Sequence, residues 1–310
     1  MKKKRIFFFL VTFLTVCVIA YVSFSKLYAY NEQKKQLEKQ LEEKKANWAA
    51  LENKIKGETD KFGQEAGLII KDLSTGWTIS VNKDKLFPSA SLVKVPIMAT
   101  VFSLCAEKEL NLEQRLVLAN KCKVLGSGVI NDYAAGTEFN IDYLIKVMIT
   151  ESDNTATNML IDHLGLEPLN NYFKKLGLSN TNLARKMMDF KSRQNGIENF
   201  TSASDVAYLF EEIYNEKLIN KDFSRKCLEI LKKQKARDRI PKKLPSDAVV
   251  AHKTGLEKGV CHDAGIVFTP NGDFLICVLT RHTYKYAAPA KKFISQVAVD
   301  AYNYYLPDNS

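Results

Sequence analysis

A chain of 310 residues that is 46% hydrophobic and 26% charged holds enough apolar material for a sizeable core and excludes wholesale disorder. The net charge of +10 is uneven: Lys2, Lys3, Lys4 and Arg5 supply four of it at the extreme N-terminus. Five cysteines lie beyond the first 30 residues, an odd number with no Cys-x-x-Cys spacing, so neither a full disulfide framework nor a metal site or other cofactor is expected.

Residues 6–24 carry no charge, and 19 helical positions at about 1.5 Å each come close to spanning a hydrocarbon core of about 30 Å. The basic flank before them predicts a cytoplasmic N-terminus and an extracytoplasmic remainder, a single-pass anchor over residues 1–29. The alternative is a signal peptide cleaved after Leu27-Tyr28-Ala29, which would leave a secreted protein. Residues 30–60 are highly charged and lack proline, with Leu37, Leu41, Trp48, Leu51 and Ile55 at heptad a and d spacing and Lys44 in the remaining slot. They predict a helical stalk ended by Gly57, with weak dimerisation through a short coiled coil as its expected partnership.

The folded domain is expected over 61–310. Two β-rich runs, 66–71 and 77–82, flank the turn residues Asp72-Leu73-Ser74-Thr75-Gly76. Next comes Phe87-Pro88-Ser89-Ala90-Ser91-Leu92-Val93-Lys94, where an apolar run breaks at proline and the following helix is apolar nearly all round. With Ser91 opening that helix, Lys94 lies one turn along the same face, within reach of the serine hydroxyl as its base. Burial of the helix puts both at the base of a cleft.

Residues 141–149 and 155–164 read as helices, and Glu151-Ser152-Asp153-Asn154 as the turn between them, a place from which side chains project. Residues 185–199 have no period and form a long loop; a helix capped near Ser202 follows to about 214. Between 221 and 243 ten Lys/Arg face three Asp/Glu, either a solvated helix face or an anion-facing patch. Nothing in the pattern points to nucleic acid. Three strands, 248–254, 264–269 and 274–280, precede a closing amphipathic helix over 290–304. The fold class is therefore α+β: an antiparallel sheet of about five strands drawn from both ends of the domain, with helices flanking it and an all-helical insertion between.

Ser91-x-x-Lys94, Ser152-Asp153-Asn154 and Lys253-Thr254-Gly255, in this order, resemble the motif set of class A β-lactamases and penicillin-binding proteins over roughly residues 63–305. The resemblance implies a serine acyl-enzyme without metal. Ser91 attacks an amide carbonyl, and Lys94, its pKa lowered by burial, accepts the proton. Ser152 relays a proton to the leaving nitrogen, and Asn154 pairs with a substrate side-chain amide. Lys253 and Thr254 suit a substrate carboxylate, Gly255 lets the substrate backbone lie close, and the backbone N–H groups of Ser91 and Leu256 form the oxyanion hole.

The departures bear on turnover. Aligning Arg185 with the family's loop arginine puts Met187 where a class A β-lactamase carries the glutamate that activates water for deacylation. Asp189, two positions late and one methylene shorter, is the nearest candidate base; Glu198 sits at the far end. Asn199 falls where an aspartate would pair with the arginine, and His262 stands roughly where an arginine helps hold the substrate carboxylate, which would make binding pH-sensitive. The expected protein is a membrane-anchored serine acyl-hydrolase that opens β-lactam amides, with deacylation in doubt. The alternatives are a penicillin-binding D,D-peptidase acting on peptides ending in D-Ala-D-Ala, and a non-catalytic cell-envelope binding protein.

Overall fold

The computed structural model describes residues 2–306 and divides into two compact units, 1–53 and 54–310. One uninterrupted helix, α1 (Lys2–Phe62), supplies the first unit and enters the second. It is long and apolar enough to cross a membrane, a property that a signal sequence near an N-terminus shares. The helix passes through Gly57 and stops at Gly63, whose φ of 62° is the left-handed conformation that terminates helices. A single glycine costs a helix only about 1 kcal/mol. Of the five apolar stalk positions, Leu37 and Leu41 are exposed, whereas Trp48, Leu51 and Ile55 are buried. Within the second unit, Phe62 stacks on Phe293 at 4.4 Å and Lys54 pairs with Asp300 at 2.8 Å.

In chain order the strands are β1 (Glu65–Asp72), β2 (Thr78–Val81), β3 (Phe87–Pro88), β4 (Arg115–Val117), β5 (Glu138–Asn140), β6 (Phe200–Thr201), β7 (Val250–Glu257), β8 (Val260–Val267) and β9 (Phe274–Arg281). The remaining helices are α2 (Lys94–Ala106), α3 (Ile141–Thr150), α4 (Asn154–Leu164), α5 (Leu166–Lys175), α6 (Phe190–Gln194), α7 (Ala203–Tyr214), α8 (Lys221–Leu231) and α9 (Ala288–Tyr304). β1, β2, β7, β8 and β9 form one antiparallel sheet in the order β2-β1-β9-β8-β7, so both ends of the domain build it, as the sequence predicts. β8 begins four residues earlier than the sequence suggests, straight after the turn at Gly259, φ 80°. Its polar Cys261-His262-Asp263 stretch hides the strand, because these residues are buried between β7 and β9 and do not alternate with solvent.

The helical insertion packs its apolar faces into one core, with α2 buried along its length. β7 is an edge strand of the sheet, and its register places Lys253-Thr254-Gly255 opposite His262-Asp263-Ala264. Two small pairings absent from the sequence reading shape the site. β3 pairs with β6, and the Ser89 N–H donates to the Asn199 carbonyl at 2.7 Å, tying the stretch before Ser91 to the end of loop 185–199.

Candidate active site

Ser91 lies in one turn of 3-10 helix, Ala90–Val93, and α2 starts at Lys94. Ala90 has φ 45°, a left-handed conformation that a non-glycine residue holds only where its surroundings enforce it. Gly255 is part of that enforcement. A Cβ there would stand 3.3 Å from the Ala90 Cβ and 3.1 Å from His262, so its missing side chain makes room for the Ser91 turn and the interior, not for substrate.

Lys94 and Lys253 are both fully buried, and Ser152 stands between them. Lys94 Nζ is within hydrogen-bond distance of the Ser152 carbonyl at 2.6 Å, Ser152 Oγ at 3.2 Å and Asn154 Oδ1 at 2.8 Å. Lys253 Nζ donates to Ser152 Oγ at 3.0 Å and to the Thr254 carbonyl at 3.0 Å. The Lys94 amine is thus anchored on the α3–α4 turn, whereas the Ser-x-x-Lys spacing predicts Ser91 as its partner. Desolvation, and then the charge of Lys253, hold Lys94 well below the usual lysine range. Burial brings Lys253 down to about 7, against the opposing pull of Asp263.

The turn itself is strained and pinned. Ser152 has φ 56°. Buried Asp153 caps α4 by accepting from Ala156 N at 2.7 Å, and its other oxygen accepts from the backbone N–H groups of Val129 and Ile130 at 2.6 and 2.8 Å. Gly128, φ 130°, is required beside it, since a Cβ would fall 2.3 Å from the Asp153 carboxylate.

A cavity of about 210 Å³ opens on this centre, and besides Ser91, Ser127, Ser152, Thr254 and Leu256 its lining includes Gln234, Lys235, Ala236, Asp238 and Arg239. Local sequence does not point to these last five. Arg239 is buried within the basic run, and its Nε donates to Cys261 Sγ at 3.3 Å; nothing in its local sequence separates it from nine neighbouring cations. Of the other nine, Lys221, Arg225, Lys226, Lys232 and Lys235 have acidic partners, which supports a solvated, paired surface for them.

The structure does not bring His262 or Asp189 to the cavity. His262 is buried beneath the Ser91 turn; its Nδ1 accepts from the Thr280 N–H at 3.1 Å, so its Nε2 carries the proton and donates to the Pro88 carbonyl at 2.8 Å. Burial drops its pKa to about 4, so it is neutral across the physiological range and is no pH-sensitive carboxylate ligand. Asp189 caps α6, accepting from Ser192 N at 3.0 Å and Ser192 Oγ at 2.7 Å, and these bonds hold its carboxyl below the usual range. Met187 is buried, with both backbone groups bonded to the Asn158 side chain at 2.9 and 3.2 Å.

The loop's ion pair is rebuilt from other residues. Asn199 bonds the backbone of Ala184 and Arg185, leaving the Arg185 guanidinium to Glu198 at 2.7 Å and Glu257 at 3.1 Å; Arg193 bridges the same two glutamates at 3.0 and 3.1 Å. Both ends of the loop are thereby clamped to the end of β7. Glu257→Gln is expected to leave two guanidinium groups sharing one carboxylate and to lower stability by about 3 kcal/mol, read as a shift of the urea midpoint at unchanged slope.

A strained serine turn, a buried lysine pair around a second serine and an edge strand facing the same cavity are the parts of a serine hydrolase. The chain belongs to the beta-lactamase enzyme family, whose model matches residues 50–305. It is 25% identical over 276 residues to the β-lactamase VEB-1 of Pseudomonas aeruginosa, covering 83% of this chain and 89% of that one. Among solved structures it resembles PBP-A, at 30% identity and TM-score 0.76, covering 82% of this chain and 95% of that one; a leucine-to-glutamate variant of PBP-A was solved as an acyl-enzyme complex with penicillin G. A β-lactamase from Sphaerobacter thermophilus matches at 29% identity and TM-score 0.76, over 84% and 99% of the two chains. Among the described residues, no cluster of His, Cys, Asp and Glu suited to a metal ion occurs.

Proposed function

We propose that this protein is a membrane-anchored, extracytoplasmic penicillin-recognising enzyme in which Ser91 opens a β-lactam amide and forms a slowly released acyl-enzyme. The observation that carries the reading is the buried Lys94–Ser152–Lys253 hydrogen-bond chain at the cavity that Ser91 lines. A neutral Lys94 takes the Ser91 proton, and Ser152 passes a proton to the leaving nitrogen. Cationic Lys253, with Thr254 and Arg239, receives the substrate carboxylate, Asn154 receives its side-chain amide, and the N–H groups of Ser91 and Leu256 hold the oxyanion. Residues 1–29 act as the anchor, 30–60 as the stalk and 61–310 as the catalytic domain.

A specific observation favours a second reading, a D,D-peptidase of cell-wall peptides: the position aligned with the deacylating glutamate is a buried methionine. Release of D-alanine from a D-Ala-D-Ala peptide supports that reading, and rapid steady hydrolysis of a chromogenic cephalosporin argues against it.

The two lysines predict a bell-shaped pH dependence of the second-order acylation rate. The rate rises as Lys94 loses its proton and falls as pH passes through about 7 and Lys253 loses its own. A stopped-flow profile with benzylpenicillin from pH 5 to 9 measures both limbs; a rate still climbing at pH 9 overturns the assignment of Lys253.

A further inference from the structure

Behind the cavity lies a buried carboxylate that the chemistry above does not use. Asp263, on β8, is fully buried, and its two oxygens are spent on two different elements. Oδ1 faces His252 Nδ1 on β7 at 2.9 Å, and Oδ2 accepts from the Ile240 N–H at 3.0 Å. The carboxylate can only accept, so His252 Nδ1 carries the proton. The first contact holds the residue before Lys253; the second holds the residue after Arg239. In the sheet register Asp263 stands opposite Thr254, the residue after Lys253.

The charges around this point need a counter-ion. Arg239 and Lys253 are both buried, and each cation disfavours the other. The groups that bear on Lys253 are Lys94 from α2 and the Ser152 hydroxyl from the α3–α4 turn, Arg239 from segment 234–239, and Asp263 from β8. The anion beside Arg239, Asp238, is half-exposed and also pairs with Lys291 at 2.5 Å. Asp263 is thus the one fully buried anion among these groups.

We propose that Asp263 is a positioning residue of the active site: through the Ile240 backbone it aims Arg239 into the cavity, and through its charge it keeps Lys253 cationic, so that two buried cations converge on one substrate carboxylate. The inference rests on the acyl-enzyme reading above. Its role is distinct from that of a packing residue because it acts on a protonation state.

The test uses the full-length protein, benzylpenicillin and intact mass against time across pH. Asp263→Asn is expected to move the alkaline limb of acylation down by about one pH unit or more, while the maximal rate at the pH optimum changes less. An unshifted limb overturns the inference. If the wild type forms no adduct, the acyl-enzyme reading has failed; if it does and the limb stays put, only the role of Asp263 has. The paired variant Arg239→Met/Asp263→Asn removes both charges and is expected to melt closer to wild type than Asp263→Asn alone. Should the single variant not fold, recovery of a cooperative melt by the pair sustains the inference, and failure to recover it overturns it.

Discussion

Ser91→Ala is expected to abolish covalent labelling by a fluorescent penicillin and the benzylpenicillin adduct seen by mass spectrometry, with the thermal melt almost unchanged. The hydroxyl is the only group removed, and Ser91 is half-exposed on the cavity wall, so no buried partner is left unsatisfied. The neighbouring Lys94 and Lys253 keep their bonds to Ser152. Labelling that survives the substitution, or a wild type that is never labelled, rules out Ser91 as nucleophile. Lys94→Ala is a weaker discriminator, because it also empties a buried site that holds three hydrogen bonds.

The second large effect concerns the lifetime of that adduct. The wild type should hold benzylpenicillin as a lasting adduct, because Met187 has no proton-accepting group and the Asp189 carboxylate is occupied as the cap of α6. Met187→Glu is expected to convert the lasting adduct into a transient one, accelerating release about 100-fold or more, the usual scale of a positioned general base. The Asn158 side chain already fixes the backbone at this position through both its N–H and its C=O, so the new carboxylate would be presented from a rigid point. Intact mass sampled from seconds to hours reads both results. An adduct that decays within seconds in the wild type would mean that another group activates water, and the clamped loop would be the place to look for it.

That clamp illustrates how far local sequence carries. Aligning the loop on Arg185 puts Asn199 where the family resemblance implies an aspartate partner, and the expectation of a lost ion pair follows. The fold restores the pairing with Glu198 and with Glu257, a residue 72 positions away that only the β7 register brings alongside. His262 makes the same point in reverse. Its position beyond Lys253-Thr254-Gly255 suggested a substrate ligand, yet on a strand flanked by β7 and β9 its ring turns inward and bonds the Pro88 carbonyl.

The sequence by itself determined the anchor-length apolar segment, the charged segment after it, the strand–helix–strand order of the domain and the order and spacing of the three motifs. These follow from short-range signals: apolar run length, periodicity, turn residues and fixed spacings such as Ser-x-x-Lys. The tertiary structure decided which partners each motif meets. Lys94 reaches Ser152 and Asn154 across 58 and 60 positions, Lys253 reaches Ser152 across 101, and Arg239 emerges from an undistinguished basic run because the chain buries it beside Cys261. The physical reason is that desolvation and charge pairing act through space. A lysine's pKa and a carboxylate's role depend on what the fold packs around them, and that neighbourhood has no counterpart in the residues beside them in the chain.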